Sequence, residues 1–139
     1  MAMPKLNAVL ETALYVDDLE CSVSFYKQIF EFETLFASER VCSLNVSNQQ
    51  VLLLFLKQAS TVARTTVGGT IPPHDGDGEL HLAFSIAASE LENWENWLQE
   101  NGVVVESKVK WTRGGTSIYF RDPDNHLLEL ATPGLWTIY

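Results

Sequence analysis

Apolar positions alternate with polar ones through residues 6–16, where Leu6, Ala8 and Leu10 are followed by Ala13, Leu14 and Val16, with Glu11 embedded among them. Period-two alternation predicts a strand. Asp17 and Asp18 follow, and Asp18 suits a helix N-cap. Leu19, Val23, Tyr26 and Phe30 then recur at spacings of four, three and four, one face of an amphipathic helix. Residues 32–37, 41–46 and 51–57 read as three short strands joined by hairpin-length turns. Residues 58–79 break the pattern: a threonine-rich stretch leads into a Gly- and Pro-rich run, predicting a linker or a functional loop.

The second half restates the first. Residues 80–86 read as a strand with His81 near its start. Ser89 and Glu92 have the spacing of a capping box. Leu91, Trp94 and Leu98 give the following helix its buried side, and Gly102 is expected to end it. Residues 103–110, 116–121 and 127–131 are the remaining strands, and 133–139 form an apolar tail. Asp122-Pro123-Asp124-Asn125 is a tight-turn sequence, with proline fixing one backbone angle and asparagine tolerating a left-handed one.

Composition narrows the class. The chain has 139 residues, 46% hydrophobic and 19% charged, consistent with one globular domain or two very small fused units. A net charge of −9 argues against nucleic-acid binding and against an anionic membrane surface. The longest apolar run, 51–56, is far too short to span a bilayer, and residues 1–6 lack an apolar signal core. Cys21 and Cys42 make no disulfide framework and no close metal-binding pair. A cytoplasmic location is the expectation, with both cysteines read as small core residues.

The order strand, helix, three strands occurs twice, and the two copies can be overlaid. Residues 11–16 fall on 81–86, and 48–54 fall on 124–130. Glu11 then matches His81, and Leu53 matches Glu129. Three of these four positions are metal-ligand types, and each interrupts an apolar strand. Buried together, they would be costly without a cation to join them. For each residue a plainer reading stands beside this one. Glu129 can point to solvent from an edge strand, Glu11 can be a surface glutamate, and His81 can be an interior histidine bonded to a backbone carbonyl.

Residues 14–26 (Leu-Tyr-Val-Asp-Asp-Leu-Glu-Cys-Ser-Val-Ser-Phe-Tyr) and 122–130 (Asp-Pro-Asp-Asn-His-Leu-Leu-Glu-Leu) carry a family resemblance. The chain resembles the vicinal oxygen chelate superfamily, which includes glyoxalases, bleomycin-resistance proteins and extradiol dioxygenases. The resemblance implies an α+β fold in which paired βαβββ modules form a curved mixed sheet around a cavity. Module one is expected at about 6–57, the connecting loop at 58–79, module two at about 80–132 and a tail at 133–139. It also implies that metal ligands come from the first and fourth strands of each module: Glu11, His81 and Glu129. Well-known members often carry histidine or glutamine at the first position, where this chain has Glu11. Glyoxalase-type members carry a glutamate where it has Leu53. A three-ligand site with open positions therefore fits better than a four-ligand one, as in the dioxygenase and fosfomycin-resistance branches, which use two histidines and a glutamate.

The resulting expectation is a divalent-metal enzyme acting on a small substrate that chelates the ion through neighbouring oxygens. Fe, Mn, Ni and Zn all suit two carboxylates and an imidazole. The ion would polarise substrate oxygens as a Lewis acid, with Glu129 in the reacting site. His74 is a candidate acid or base over the cavity. Tyr119 is a candidate hydrogen-bond donor, Arg113 a candidate carboxylate binder and Trp136 a candidate pocket residue. Each has an ordinary structural reading as well. His126 is left out of the site. The alternative is a metal-free binding protein of the bleomycin-resistance type, whose aromatic faces would hold a cationic ligand. A homodimer is expected from the resemblance, because members pair modules within or between chains.

Overall fold

The computed structural model describes residues 1–139, which divide into two units, Met1–Asp77 and Gly78–Tyr139. In the first, β1 (Glu11–Val16), α1 (Leu19–Phe30), β2 (Glu33–Ala37), β3 (Val41–Val46) and β4 (Gln50–Leu56) follow one another. Their sheet has the order β1-β4-β3-β2, with β1 parallel to β4 and the other pairs antiparallel. Asp18 caps α1 by accepting a hydrogen bond from Cys21 N at 2.9 Å, and Glu31 ends it in a left-handed conformation. Leu14, Val16, Leu44, Leu52 and Leu54 are buried on one face of the sheet, and Tyr26 and Ile29 are buried on the helix. Each fully buried leucine contributes about 1.5–3 kcal/mol.

The first strand is shorter than its pattern predicts. Residues 1–10 are exposed and make no strand, although Leu10 O still accepts from Val51 N at 3.0 Å. The reason is the partner: β4 starts at Gln50, so the alternation before Glu11 has nothing to pair with.

Residues 58–77 are no loose linker. Arg64–Thr66 (β5) and Gly69–Ile71 (β6) form a hairpin. His74 N donates to Ser60 O at 2.9 Å. Gln58 N donates to the Asp75 carboxylate at 3.0 Å. Gly76 lies so close to the Tyr15 ring that any β-carbon there would collide with it. Lys57 Nζ pairs with Asp17 at 3.2 Å and Asp77 at 3.0 Å.

The second unit repeats the plan: β7 (His81–Ser85), α2 (Leu91–Glu100), β8 (Ser107–Lys110), β9 (Thr116–Arg121) and β10 (Leu127–Ala131). Its sheet order is β7-β10-β9-β8, with β7 parallel to β10. Leu98, Ile118, Phe120, Leu128 and Leu130 form its core. The predicted capping box is absent: Ala88–Glu90 wind into a 3-10 turn, and Glu90 precedes α2 without a side-chain cap. Gly102 is left-handed as expected. Residues 103–106 are not strand, leaving β8 with four residues.

The tail is packed. Tyr139 OH lies 2.9 Å from both Ile86 O and Ala131 O. Gly115 and Gly134 let the β8–β9 turn touch the chain after β10, since a β-carbon on Gly115 would stand 2.8 Å from Pro133 O and Thr132 O. The expectation of two buried small cysteines holds for Cys42 and fails for Cys21, which is exposed on α1. Neither α1 nor α2 is long and apolar enough to cross a membrane.

Candidate metal centre

Glu129 sits mid-strand on β10, which lies between β7 and β9. An edge-strand position is therefore excluded, and the residue is only 5% exposed. Leu128 and Leu130 are fully buried in the core of the second unit, so strand parity puts Glu129 on the other face. A buried carboxylate must be satisfied, and one of its oxygens has a fixed donor. Ser117 Oγ donates to Oε2 at 2.6 Å. Trp111 Nε1 donates to that same hydroxyl at 2.8 Å. This chain of donors fixes the carboxylate and turns Oε1 toward His81.

The imidazole is fixed just as firmly. Its Nδ1 lies 2.8 Å from Leu127 O. A carbonyl oxygen only accepts, so Nδ1 carries the hydrogen. In the neutral ring Nε2 then bears a lone pair, and it stands 3.2 Å from Glu129 Oε1. Two acceptors at this distance repel unless a proton or a cation lies between them. An N–H to a backbone carbonyl is also how ligating histidines are commonly held. Two donors each about 2.1 Å from one ion stand roughly 3.0 Å apart at a right angle and 3.4 Å at a tetrahedral one. The observed spacing fits either, so the pair suits a divalent ion without selecting one. The His81 side chain is half-exposed, which leaves an approach to Nε2.

Tyr119 lies directly opposite Glu129 in the β9–β10 pairing, and its ring is 6.3 Å from that of His81. Burial and then the Glu129 charge raise its pKa above the ordinary tyrosine value. The hydroxyl thus stays protonated and able to donate.

Module one carries the register equivalents. Glu11 pairs with Val51 and Ala13 with Leu53, as His81 pairs with Leu127 and Ala83 with Glu129. The overlay drawn from the sequence matches this pairing at both positions. No group of three His, Cys, Asp or Glu side chains is gathered for a metal in the chain; His81 and Glu129 form a pair, and Glu11 is exposed on β1. His74 lies in the connecting segment of the first unit, where its Nδ1 meets Tyr15 OH at 2.8 Å and its ring packs edge-on against Phe55. Arg113 lies exposed in a turn, and Trp136 is 65% exposed. His126 is fully buried and accepts from Leu80 N at 2.9 Å, a structural role.

Sequence reasoning missed Ser117, and it read Trp111 only as a pocket or dimer-contact residue. The available signal was parity: Ser117 is a polar residue two positions before Tyr119, hence on the same sheet face as Glu129.

Residues 8–130 match the Glyoxalase/Bleomycin resistance protein/Dioxygenase superfamily. The chain is 32% identical over 128 residues to a protein named metallothiol transferase FosB from Staphylococcus saprophyticus subsp. saprophyticus, covering 91% of this chain and 78% of that one. It is 30% identical over 129 residues to the protein of the same name from Bacillus licheniformis, covering 92% and 77%. The crystal structure of a lactoylglutathione lyase from Agrobacterium tumefaciens superposes with a TM-score of 0.86 at 30% identity, covering 96% of this chain and 99% of that one. With βαβββ units in both halves and a match across nearly its whole length, this chain belongs to the vicinal oxygen chelate superfamily of glyoxalases, bleomycin-resistance proteins and dioxygenases.

Proposed function

We propose that this protein is a divalent-metal-dependent enzyme that joins a thiol to a small oxygen-bearing substrate, or rearranges such a conjugate. The observation that carries the reading is the facing of His81 Nε2 and Glu129 Oε1, two acceptors 3.2 Å apart. The reaction class is supported by two relatives whose names specify a thiol or a thiol conjugate, metallothiol transferase and lactoylglutathione lyase. In this reading Glu11 is the third ligand, contributed by module one of a second copy. The apolar residues exposed ahead of β1, Leu6, Val9 and Leu10, suit coverage in such a homodimer. A cytoplasmic location belongs to the same reading, because an exposed free thiol at Cys21 suits a reducing compartment.

A bound divalent ion supplies Lewis-acid polarisation of the substrate's oxygens. The remaining work falls to the chain. Trp111 and Ser117 hold one carboxylate oxygen so that the other stays aimed. Leu127 O fixes the His81 tautomer. Tyr119 keeps its proton and offers a donor beside Glu129, where a substrate oxygen gaining negative charge would be stabilised.

The test is adduct formation. Metal-reconstituted protein is incubated with a low-mass thiol and an electrophile bearing adjacent oxygens, and products are followed by mass spectrometry. Metal-dependent turnover that is lost in His81→Ala supports the reading. Equal rates with and without protein across thiols and metals would contradict it. Ligand capture by the metal-stripped protein without turnover would favour the metal-free binding alternative.

A further inference from the structure

We propose that His126 is a positioning residue, holding the His81 backbone and ring in place from the core side of the second sheet. Its consequence for metal binding presupposes the function proposed above; the hydrogen-bond network that carries it does not. His126 is 0% exposed. It immediately precedes β10 and goes by strand parity with Leu128 and Leu130, on the face away from Glu129. The turn before it delivers it there. Asp122 Oδ1 accepts from Asp124 N at 3.0 Å and from His126 N at 2.9 Å. Asn125 takes a left-handed φ of 64°, and Asp122 N donates to His126 O at 3.2 Å.

A line of hydrogen bonds runs from this ring to that of His81. Leu80 N donates to His126 Nδ1 at 2.9 Å. Leu127 N donates to Leu80 O at 2.8 Å. His81 Nδ1 donates to Leu127 O at 2.8 Å. Both polar backbone groups of Leu80 are thereby tied to the start of β10, one residue before the metal-binding imidazole. The tautomers follow. A nitrogen that accepts carries no hydrogen, so neutral His126 holds its hydrogen on Nε2, while His81 holds one on Nδ1. Module one has the backbone bridge, since Val51 N donates to Leu10 O at 3.0 Å. Gln50, the register equivalent of His126, is exposed there. The first strand of that module carries Glu11, a carboxylate with no tautomer to select. The buried imidazole thus sits in the module whose first strand carries a histidine. Without its acceptor, Leu80 N loses its partner and the strand start that aims His81 is freed.

The test begins with the metal-free wild type in chelator. The chain has 3 histidines, whose ring nitrogens are read by long-range proton–nitrogen NMR at mildly alkaline pH, with the rings neutral, and assigned by single substitution. His126 should carry hydrogen on Nε2 only and His81 on Nδ1 only. Hydrogen on His126 Nδ1 would overturn the proposal before any variant is compared. His126→Gln carries its amide at the Nε2 end of the imidazole and should let the His81 ring sample both tautomers. His126→Asn puts its carbonyl oxygen where Nδ1 stood and should restore the single one. In chelator competition with Mn²⁺ and Zn²⁺, His126→Gln should lose about tenfold or more in affinity, and His126→Asn should return to within about threefold of wild type. Leu98→Ala is the control: it opens the core of the same unit and should leave the affinity unchanged. Affinity falling in step with melting temperature across the variants, Leu98→Ala included, would overturn the proposal. So would a folded His126→Gln that keeps the wild-type His81 tautomer. A wild type that binds neither ion would sink the metal reading, and the positioning of His81 would then stand or fall on its tautomer.

Discussion

His81 Nε2 faces Glu129 Oε1 across 3.2 Å, while the other nitrogen of the ring is already committed to Leu127 O. With Nδ1 committed, Nε2 and Oε1 hold each other only through a shared proton or a cation, and that is what makes the pair a candidate metal site. Their supporting contacts are the more telling because they come from separate strands and a turn: Ser117 on β9 and Trp111 after β8.

Ser117 is expected to act only through Glu129. Ser117→Ala removes the donor to Oε2 and leaves a buried carboxylate oxygen free to turn. Losing the hydrogen bond that holds a metal-binding side chain typically costs about 10–100-fold in metal affinity. Competition titration with a chromogenic chelator should show a drop in that range, with melting temperature little changed. Wild-type affinity in the variant would show that the carboxylate is held by other means.

Assembly between two copies makes a distinctive prediction. Glu11→Ala and Glu129→Ala should each lose metal. Mixed, unfolded and refolded together, they should recover a minority of wild-type sites, because one intact site can form in each mixed dimer. No recovery from a mixture that does form mixed dimers, measured on isotope-labelled chains by native mass spectrometry, would rule out contribution of Glu11 across chains.

The two faces of β4 should differ in stability. Leu54 is fully buried beneath α1, and Leu53 is partly open on the cavity side. Leu54→Ala should cost about 2–5 kcal/mol in urea unfolding, with Leu53→Ala costing clearly less. Equal costs would mean that the cavity face is packed as tightly as the core.

Gly115 should resist replacement. Its φ is +80°, and a β-carbon would press on Thr132 O and Pro133 O at 2.8 Å. Both contacts are backbone, so the neighbours have little room to yield. Gly115→Ala is expected to cost about 1–3 kcal/mol, measured by thermal unfolding; an unchanged melting temperature would show that the tail can move away.

Alkaline pH should destabilise the fold. Tyr15 and Tyr119 both have pKa values raised above 10.0, each chiefly by burial. The folded state then holds the phenolic protons more tightly than the unfolded state. This stabilisation is complete below pH 10.0 and is lost as pH rises through the folded values. Tyrosinate absorbance should show late-titrating groups, with one fewer in Tyr119→Phe. Titration of every tyrosine at the ordinary value would contradict this.

Much of the site could be read from the chain. Glu129 interrupts an apolar strand after a turn, and period-two parity alone places it opposite Leu128 and Leu130. The repeat fixed the correspondence of Glu11 with His81, because register follows from the hydrophobic pattern. The sequence could not show the Trp111–Ser117–Glu129 chain, since those contacts depend on side-chain direction across three segments. The β5–β6 hairpin was hidden because its residues are polar and threonine-rich and its glycines read as breakers. The capping box at Ser89 failed because a 3-10 turn formed there first. The alternation in 6–10 misled because a strand needs a partner as well as a pattern.

The proposed chemistry depends on metal binding by His81 and Glu129. The decisive measurement is metal stoichiometry by elemental analysis, after loading with Mn²⁺, Fe²⁺, Ni²⁺ or Zn²⁺ and extensive dialysis, on the wild type beside Glu129→Ala. Near-stoichiometric metal is expected in the wild type, with its loss in a variant that remains folded. Absence of retained metal in both, or equal retention in both, would contradict it.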